Sequence, residues 1–380
     1  MEWELLLTFL LLSFFICMIL TIIAIPQIID IAFRKQLFDV PDYRKVHTGQ
    51  IPRLGGVTFL PGIMIAVLAV FGFLAEAGYA GDLARDSSEI MFCAAGALFL
   101  YMTGVTDDLI GLSYKIKFPV QIISAILLCT SGLWIDNFNG VLGIHHIPAL
   151  IGIPFSVVLV VLIINAINLI DGIDGLASGL CIMGITVFTV LFVKVGLANY
   201  AIIGAAALGA LLPFYVYNVY GTSEKQTKIF MGDAGSLTMG YIISAFTIKA
   251  ATFAYRSDLP EDERSYYFVY AFAILLVPVL DVVRLFVHRI IHKRSPFTPD
   301  RCHIHHKFMA VGMSIGKARH TIIGISLALF ILNIILINYV NINILLATDI
   351  LLWTLMHVFI SLRIKALKAK DVSSARMYQE

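Results

Sequence analysis

The stretch Asn165-Ala-Ile-Asn-Leu-Ile-Asp-Gly-Ile-Asp-Gly-Leu176 decides how this chain reads. Residues 150–164 before it are almost entirely apolar, the pattern of a helix inside a bilayer. Asn165, Asn168, Asp171 and Asp174 then follow at steps of three without leaving the helical pattern. At about 3.6 residues per turn, such steps make a slowly winding stripe along one side. An ionised Asp near a bilayer centre costs about 2.5–3.5 kcal/mol even on a lenient insertion scale. Carboxylates carried by a membrane helix therefore point to function, and they belong at its watery end.

Composition agrees with that start. Of 380 residues, 59% are hydrophobic and 14% charged, with mean hydropathy +0.89. A soluble domain runs at roughly 45–50% apolar and 25% charged. The chain reads as an all-α polytopic membrane protein, a single transmembrane domain over 1–380. Apolar spans fall at 4–26, 54–75, 89–106, 116–134, 150–168, 175–195, 200–218, 234–254, 266–287, 320–340 and 346–363, about eleven of bilayer-crossing length. Most Lys and Arg lie in alternate loops, so the positive-inside rule puts the N-terminus outside and the C-terminus in the cytoplasm. The basic tail, with Lys365, Lys368 and Lys370, suits an anionic inner membrane surface. Glu2 and Glu4 stand where a cleavable signal peptide would be basic, and the first apolar run exceeds a signal core. The five cysteines are scattered and mostly sit in apolar runs, which reads as small buried residues and not a disulfide framework.

On this topology the polar clusters gather in the cytoplasmic loops 34–53, 107–117, 169–175, 219–233 and 288–319 and their flanks. A pump or channel more often buries its ionisable groups at mid-membrane. Asp107 and Asp108 are adjacent carboxylates that stay ionised only beside a cation, and Lys115 and Lys117 follow. They suit a general base or Mg²⁺ ligands, or simply a solvated turn. In Phe230-Met-Gly-Asp-Ala-Gly-Ser236, Asp233 reads either as a helix N-cap or as a metal ligand beside a diphosphate, with glycines allowing close approach. No phosphate-loop pattern of the Lys-Ser/Thr type is present, which excludes a P-loop NTPase. Cys302, His303, His305 and His306 could suggest zinc, but structural sites bring ligand pairs from separated segments, and the remaining Cys and His form no second Cys–His cluster. Arg301 and the imidazoles better suit an anion. Arg53 and His47 are phosphate-contact candidates, although basic cytoplasmic loops also arise for topology alone. Together these groups suit phosphoryl transfer from a soluble nucleotide derivative to a lipid at the interface.

The Asp107–Asp108 pair, the stripe from Asn165 to Leu176, Gly232-Asp-Ala-Gly-Ser236 and His303-Ile-His-His306 occur in that order. In this the chain resembles the polyprenyl-phosphate N-acetylhexosamine-1-phosphate transferases over roughly residues 39–319. The loop Ser295-Pro-Phe-Thr-Pro-Asp-Arg301 before the histidines is similar to the bacterial branch using UDP-N-acetylglucosamine and undecaprenyl phosphate. The resemblance implies a Mg²⁺-dependent enzyme of the bacterial inner membrane, with Mn²⁺ able to substitute. UMP would be released and undecaprenyl-diphospho-N-acetylglucosamine formed, as the first membrane step of a cell-envelope polysaccharide. Asp233 would bind the metal with Asn168 beside it, and Asp107 would deprotonate or position the lipid phosphate. Asp108 would support the metal or the lysines, and Lys117 would contact phosphate. Asp174, Asp171 and Asn165 would form the nucleotide pocket; Arg301, His303, His305 and His306 would hold diphosphate and sugar. Membrane lipids and a second copy of the chain are the expected partners, and nucleic acid is not. The rival readings are a phospho-N-acetylmuramoyl-pentapeptide transferase, another UDP-N-acetylhexosamine donor, and an ion-coupled transporter.

Overall fold

A computed structural model of the chain describes residues 2–38, 50–256, 261–295 and 302–377. Among them are fourteen α-helices and no strand beyond one isolated bridge, Asn137 to His146. The first half holds α1 (Trp3–Lys35), α2 (Phe59–Leu74), α3 (Ala80–Ala84), α4 (Ser87–Ile110), α5 (Tyr114–Thr130), α6 (Ala149–Ile170) and α7 (Leu176–Lys194). The second holds α8 (Ala198–Tyr220), α9 (Gly232–Arg256), α10 (Glu261–Ala273), α11 (Leu276–Ile291), α12 (Ile304–Ala310), α13 (Ile315–Leu336) and α14 (Ile342–Met377).

Every apolar stretch expected to span falls on a helix, yet the helices are not alike. Among the described residues eight are long and apolar enough to cross a membrane. A ninth crossing results if Arg264–Ala273 and Leu276–Ile291, bent by 65° at their junction, count as one. The protein is thus a polytopic, all-helical membrane protein. Two expected spans fall outside that set for physical reasons. Helix α5 has only 17 residues. Helix α9 has 25 but is rich in Gly, Ala, Ser and Thr.

That composition suits the place α9 occupies. It is buried along nearly its whole described length and packs against α4, α6, α7 and α10. Small residues let neighbouring backbones approach closely, which is how membrane helices associate where lipid and side chain are equally apolar. Its serine and threonine hydroxyls find acceptors within the helix itself. Ser236, Thr238, Ser244, Thr247 and Thr252 each donate to the carbonyl four residues earlier, at 2.7–3.0 Å.

Helices α4 and α9 run antiparallel, and each carries charge at both ends. At one end Lys249 of α9 pairs with Asp86 (3.1 Å) and with Glu89 of α4. Tyr200 of α8 donates to Glu89 at 2.6 Å, and Asn199 to Asp86 at 3.2 Å. At the other end, Asp107 and Asp108 of α4 meet the first turn of α9.

Candidate active site

The first turn of α9 is held by a carboxylate from another helix. Asp108 accepts the backbone N–H of Asp233 at 2.7 Å and that of Ala234 at 2.9 Å, one on each oxygen. A helix start leaves such amides unpaired and carries partial positive charge, so an anion there is doubly favoured. Gly232 makes the approach possible. Its φ is +70°, and a Cβ there would lie 2.1 Å from the Arg53 carbonyl and 2.5 Å from Asp108 Oδ2. Just upstream, Phe230 N–H donates to the Pro52 carbonyl (2.8 Å), while Gly55 and Gly56 donate to the carbonyls of Phe230 and Met231 (2.9 and 2.8 Å). This short ladder ties segment 52–56 to the α9 entry and brings Arg53 Nη2 to 3.7 Å from Asp233 Oδ1.

Asp107 lies near the end of α4 and accepts the Leu112 N–H at 2.6 Å. Ser113 then caps α5, its side chain accepting from Lys115 N–H, so Lys117 falls in the first turn of that helix. Lys117 Nζ reaches Asp233 Oδ2 at 2.7 Å and Asp107 Oδ1 at 3.3 Å. Asn168 donates to Asp233 Oδ1 (3.2 Å) and to Ser236 Oγ (2.8 Å). Asp107, Asp108 and Asp233 each offer an oxygen within 4.8 Å of the others. Asp107 and Asp233 share the Lys117 ammonium and Asp108 stands beside them, and hard oxygen donors of this kind suit Mg²⁺ or Mn²⁺.

The stripe that opens the sequence divides its labour. Asn165 donates to Gln121 Oε1 of α5 (2.6 Å) and to the Val161 carbonyl (2.7 Å), which locks α5 to α6. Asn168 faces the carboxylate cluster. Asp171 follows α6 as its C-cap and lies in the field of Arg53, Asp233 and Asp174. Burial, with help from Asp233 and Asp174 and against Arg53, pushes its carboxyl up to about 7. Asp174 pairs with Lys228, and its carbonyl accepts from Arg319 Nη1 at 3.1 Å. The turn after it is fixed by Asn218, which accepts the Gly175 N–H (2.6 Å) and donates to the Ile229 carbonyl (2.8 Å).

The histidines come from the opposite side. His303 precedes α12, and its Nδ1 is 2.9 Å from Asp281 Oδ2 of α11. His305 is 1% exposed, and both its ring nitrogens are buried without a hydrogen-bond partner. Its ring rests on the Asp171–Asp174 turn so closely that a Cβ on Gly172 would lie 2.3 Å from Nε2. Burial, then His306 and His303, pull its imidazole down to about 3, so it is neutral. His305 also stands against His303 (5.7 Å, nearly parallel) and His306 (4.2 Å).

The described parts of all five polar clusters therefore meet at one end of the bundle. His47 and Arg301 lie outside the described residues. Sequence reasoning missed Asp281, Gln121 and Asn218, and it counted Arg284, Lys228 and Arg319 only among the basic residues that set the topology. Asp281 and Arg284 did leave a signal, an acid and a base at i, i+3 within an apolar span.

Residues 90–251 match the model of glycosyl transferase family 4. The chain is 30% identical over 309 residues to a probable undecaprenyl-phosphate N-acetylglucosaminyl 1-phosphate transferase of Bacillus subtilis (strain 168), covering 79% of this chain and 77% of the relative. It is 31% identical over 293 residues to the undecaprenyl-phosphate alpha-N-acetylglucosaminyl 1-phosphate transferase of Salmonella typhi. The protein of that name from Escherichia coli (strain K12) is 29% identical. Each of these two matches covers 76% of this chain and 73% of the relative. With the ordered motifs converging on one site, identity and coverage of this extent place the chain in glycosyl transferase family 4, in the branch of the bacterial undecaprenyl-phosphate N-acetylglucosaminyl 1-phosphate transferases.

Proposed function

We propose that the protein transfers N-acetylglucosamine 1-phosphate from UDP-N-acetylglucosamine to undecaprenyl phosphate, releasing UMP. The observation that carries the reading is the cluster of Asp107, Asp108 and Asp233, with the Lys117 ammonium between Asp107 and Asp233, where membrane helices end. An oxygen of the lipid phosphate attacks the β-phosphorus of the donor. The bond from that phosphorus to the bridging oxygen breaks, and UMP leaves with its electron pair. Both reactants are anions, so the work is to bring them together, align them and spread the charge.

Lys117 and Arg53 are the cations beside Asp233, and they are placed to meet phosphate oxygens. Asp107 orients the attacking lipid phosphate and takes its proton when it arrives as the monoanion. Asp233 and Asp107, with Asn168 behind Asp233, would hold Mg²⁺. Bound there, it supplies charge neutralisation for the diphosphate and the leaving UMP. Asp108 keeps the α9 turn, and so Asp233, in register. Asp171 and Asp174 line the nucleotide side. His303 and His306 approach from the sugar-diphosphate side, with His305 seating their segment on Gly172.

In this reading the site faces the cytoplasm of a bacterial inner membrane crossed about eleven times, the broken α10–α11 pair counting once and α5 and α9 both crossing. The decisive experiment uses purified, detergent-solubilised protein with both substrates. UMP release should require undecaprenyl phosphate, stop with chelator and return with Mg²⁺ or Mn²⁺. Preference for the N-acetylmuramoyl-pentapeptide nucleotide would overturn the donor assignment. Release without added divalent ion, or activity seen only across a sealed membrane with a gradient, would overturn the reading itself.

A further inference from the structure

Asp281 is an acid in the apolar helix α11 with only 1% of its surface exposed. None of the motifs includes it. Its Oδ2 faces His303 Nδ1 at 2.9 Å. The Ile304 N–H donates to its two oxygens at 3.2 and 3.3 Å, and Arg284 Nη2 donates to Oδ1 at 2.9 Å. The same Arg284 nitrogen donates to the Cys302 carbonyl at 2.6 Å. One side chain thus gathers an imidazole, a backbone amide and a guanidinium, all from or next to segment 302–304. Burying a carboxylate is tolerated only when it is this fully paired.

The pairing has a chemical consequence for His303. A carboxylate only accepts, so the ring must carry a proton on Nδ1. That leaves Nε2 as the atom free to meet a ligand, and it fixes the ring plane. The plane is shared, because His305 lies nearly parallel at 11° and rests on Gly172 of the nucleotide turn. On the far side, Lys307 holds the same short helix to α14 through His357 Nδ1 (3.3 Å) and Ser361 (3.2 Å). Of these anchors, Asp281 alone grips a histidine of the motif by its ring.

We propose that Asp281 is a positioning residue for sugar-nucleotide recognition: it seats the His303 segment and directs the Nε2 edge of His303 toward the β-phosphate and sugar of the donor. The inference rests on the transfer reading above. It makes Asp281 matter for the part of UDP-N-acetylglucosamine that UMP lacks. Asn in its place has the shape but only one accepting oxygen, which cannot serve both His303 and Arg284. Its NH₂ then faces one of two donors, and the ring loses its fixed proton and orientation.

The test measures binding of UDP-N-acetylglucosamine and of UMP to the purified full chain in detergent, alongside steady-state turnover. Asp281→Asn should weaken UDP-N-acetylglucosamine about tenfold, as expected for one misaligned charge-assisted contact. UMP binding should stay within about twofold. The KM for the donor should rise while that for undecaprenyl phosphate does not. In a His303→Gln background, Asp281→Asn should add almost nothing, since its effect passes through that ring. Equal losses for the two nucleotides, or full additivity with His303→Gln, would make Asp281 a general stabiliser and overturn the proposal. Should Asp281→Asn fail to fold, Asp281→Glu reads the same ratio. It keeps the charge but displaces the ring, so preference for the sugar nucleotide must fall; an unchanged ratio overturns the proposal. A wild-type chain that binds UDP-N-acetylglucosamine yet releases no UMP would sink the transfer reading alone and leave the binding result to judge Asp281. Failure to bind either nucleotide would sink both.

Discussion

Asp108→Asn should damage the protein in a way that Asp107→Asn does not. Each oxygen of Asp108 accepts one amide of the α9 first turn, at 2.7 and 2.9 Å. Asparagine keeps one acceptor and turns an NH₂ toward the second amide, so a donor faces a donor. A hydrogen bond to a charged acceptor contributes about 1.5–3 kcal/mol. Removing the negative charge from a helix N-terminus costs about 0.3–1 kcal/mol more. Burial raises the Asp108 carboxyl to about 7, so above that pH, where it is ionised, the expected loss is about 3 kcal/mol. At about 2.1 cal/mol/K per residue, 380 residues give an unfolding entropy near ~0.8 kcal/mol/K, so the midpoint should fall by ~4 °C. Turnover should fall about 100-fold as well, because Asp233 sits on the loosened turn and a shift of about 1 Å at a reacting site costs that much. Asp107 accepts a single amide, Leu112 N–H at 2.6 Å, which an asparagine oxygen can still accept. Asp107→Asn should therefore lose activity with its midpoint within about 1 °C of wild type. Thermal unfolding followed by tryptophan fluorescence in detergent, with UMP release on the same preparations, separates the two. An Asp108→Asn protein that unfolds at the wild-type temperature yet is inactive would refute the capping argument and move Asp108 to the reacting atoms.

Lys117→Met leaves Asp107 and Asp233 without the ammonium they share. Turnover should fall about 100-fold, and Mg²⁺ should raise the unfolding midpoint more in the variant than in wild type; equal shifts would place the cation elsewhere. Gly172→Ala puts a Cβ 2.3 Å from His305 Nε2, so the ring must leave its seat. The variant should fold with a raised KM for the donor, and an unchanged KM would uncouple the His305 contact from recognition. Asp171 supplies a pH dependence, since burial pushes its carboxyl up to about 7. An unfolded Asp titrates near about 3.9, so between about pH 4 and 7 the folded state binds more protons. Stability at this site should then be highest below about pH 4, fall as pH rises through about 7, and level off above. Asp108, which burial also raises to about 7, carries a slope of the same sign. Asp171→Asn should therefore reduce the slope in chelator-treated protein without abolishing it, and a slope equal to that of wild type assigns the titration to another group.

How much of this was legible beforehand follows from where the information lies. Helix positions and the convergence of the polar loops could be read because apolar length and charge placement are local to each stretch. The role of each polar residue could not be, because it depends on a partner from elsewhere in the chain. Asn165 and Asn168 are chemically identical and three apart in one motif. One is occupied by Gln121, 44 residues earlier, and the other by Asp233, 65 residues later. Spacing cannot separate them; packing does. Asp107 and Asp108 show the same limit at its sharpest, since neighbours on one helix must point in different directions. One turns to the loop and Lys117, the other to the amides of α9. Asp281 is a different kind of omission. An acid and an arginine at i, i+3 inside an apolar span are costly enough to demand an explanation from sequence alone. Asp281 escaped notice, and Arg284 was counted only for topology, because a span is read for what makes it apolar. The same habit hides α9, whose Gly, Ser and Thr lower its hydropathy because it faces other helices along its length. In a bundle with a buried site, the least lipid-like helix is the one to suspect of carrying the chemistry.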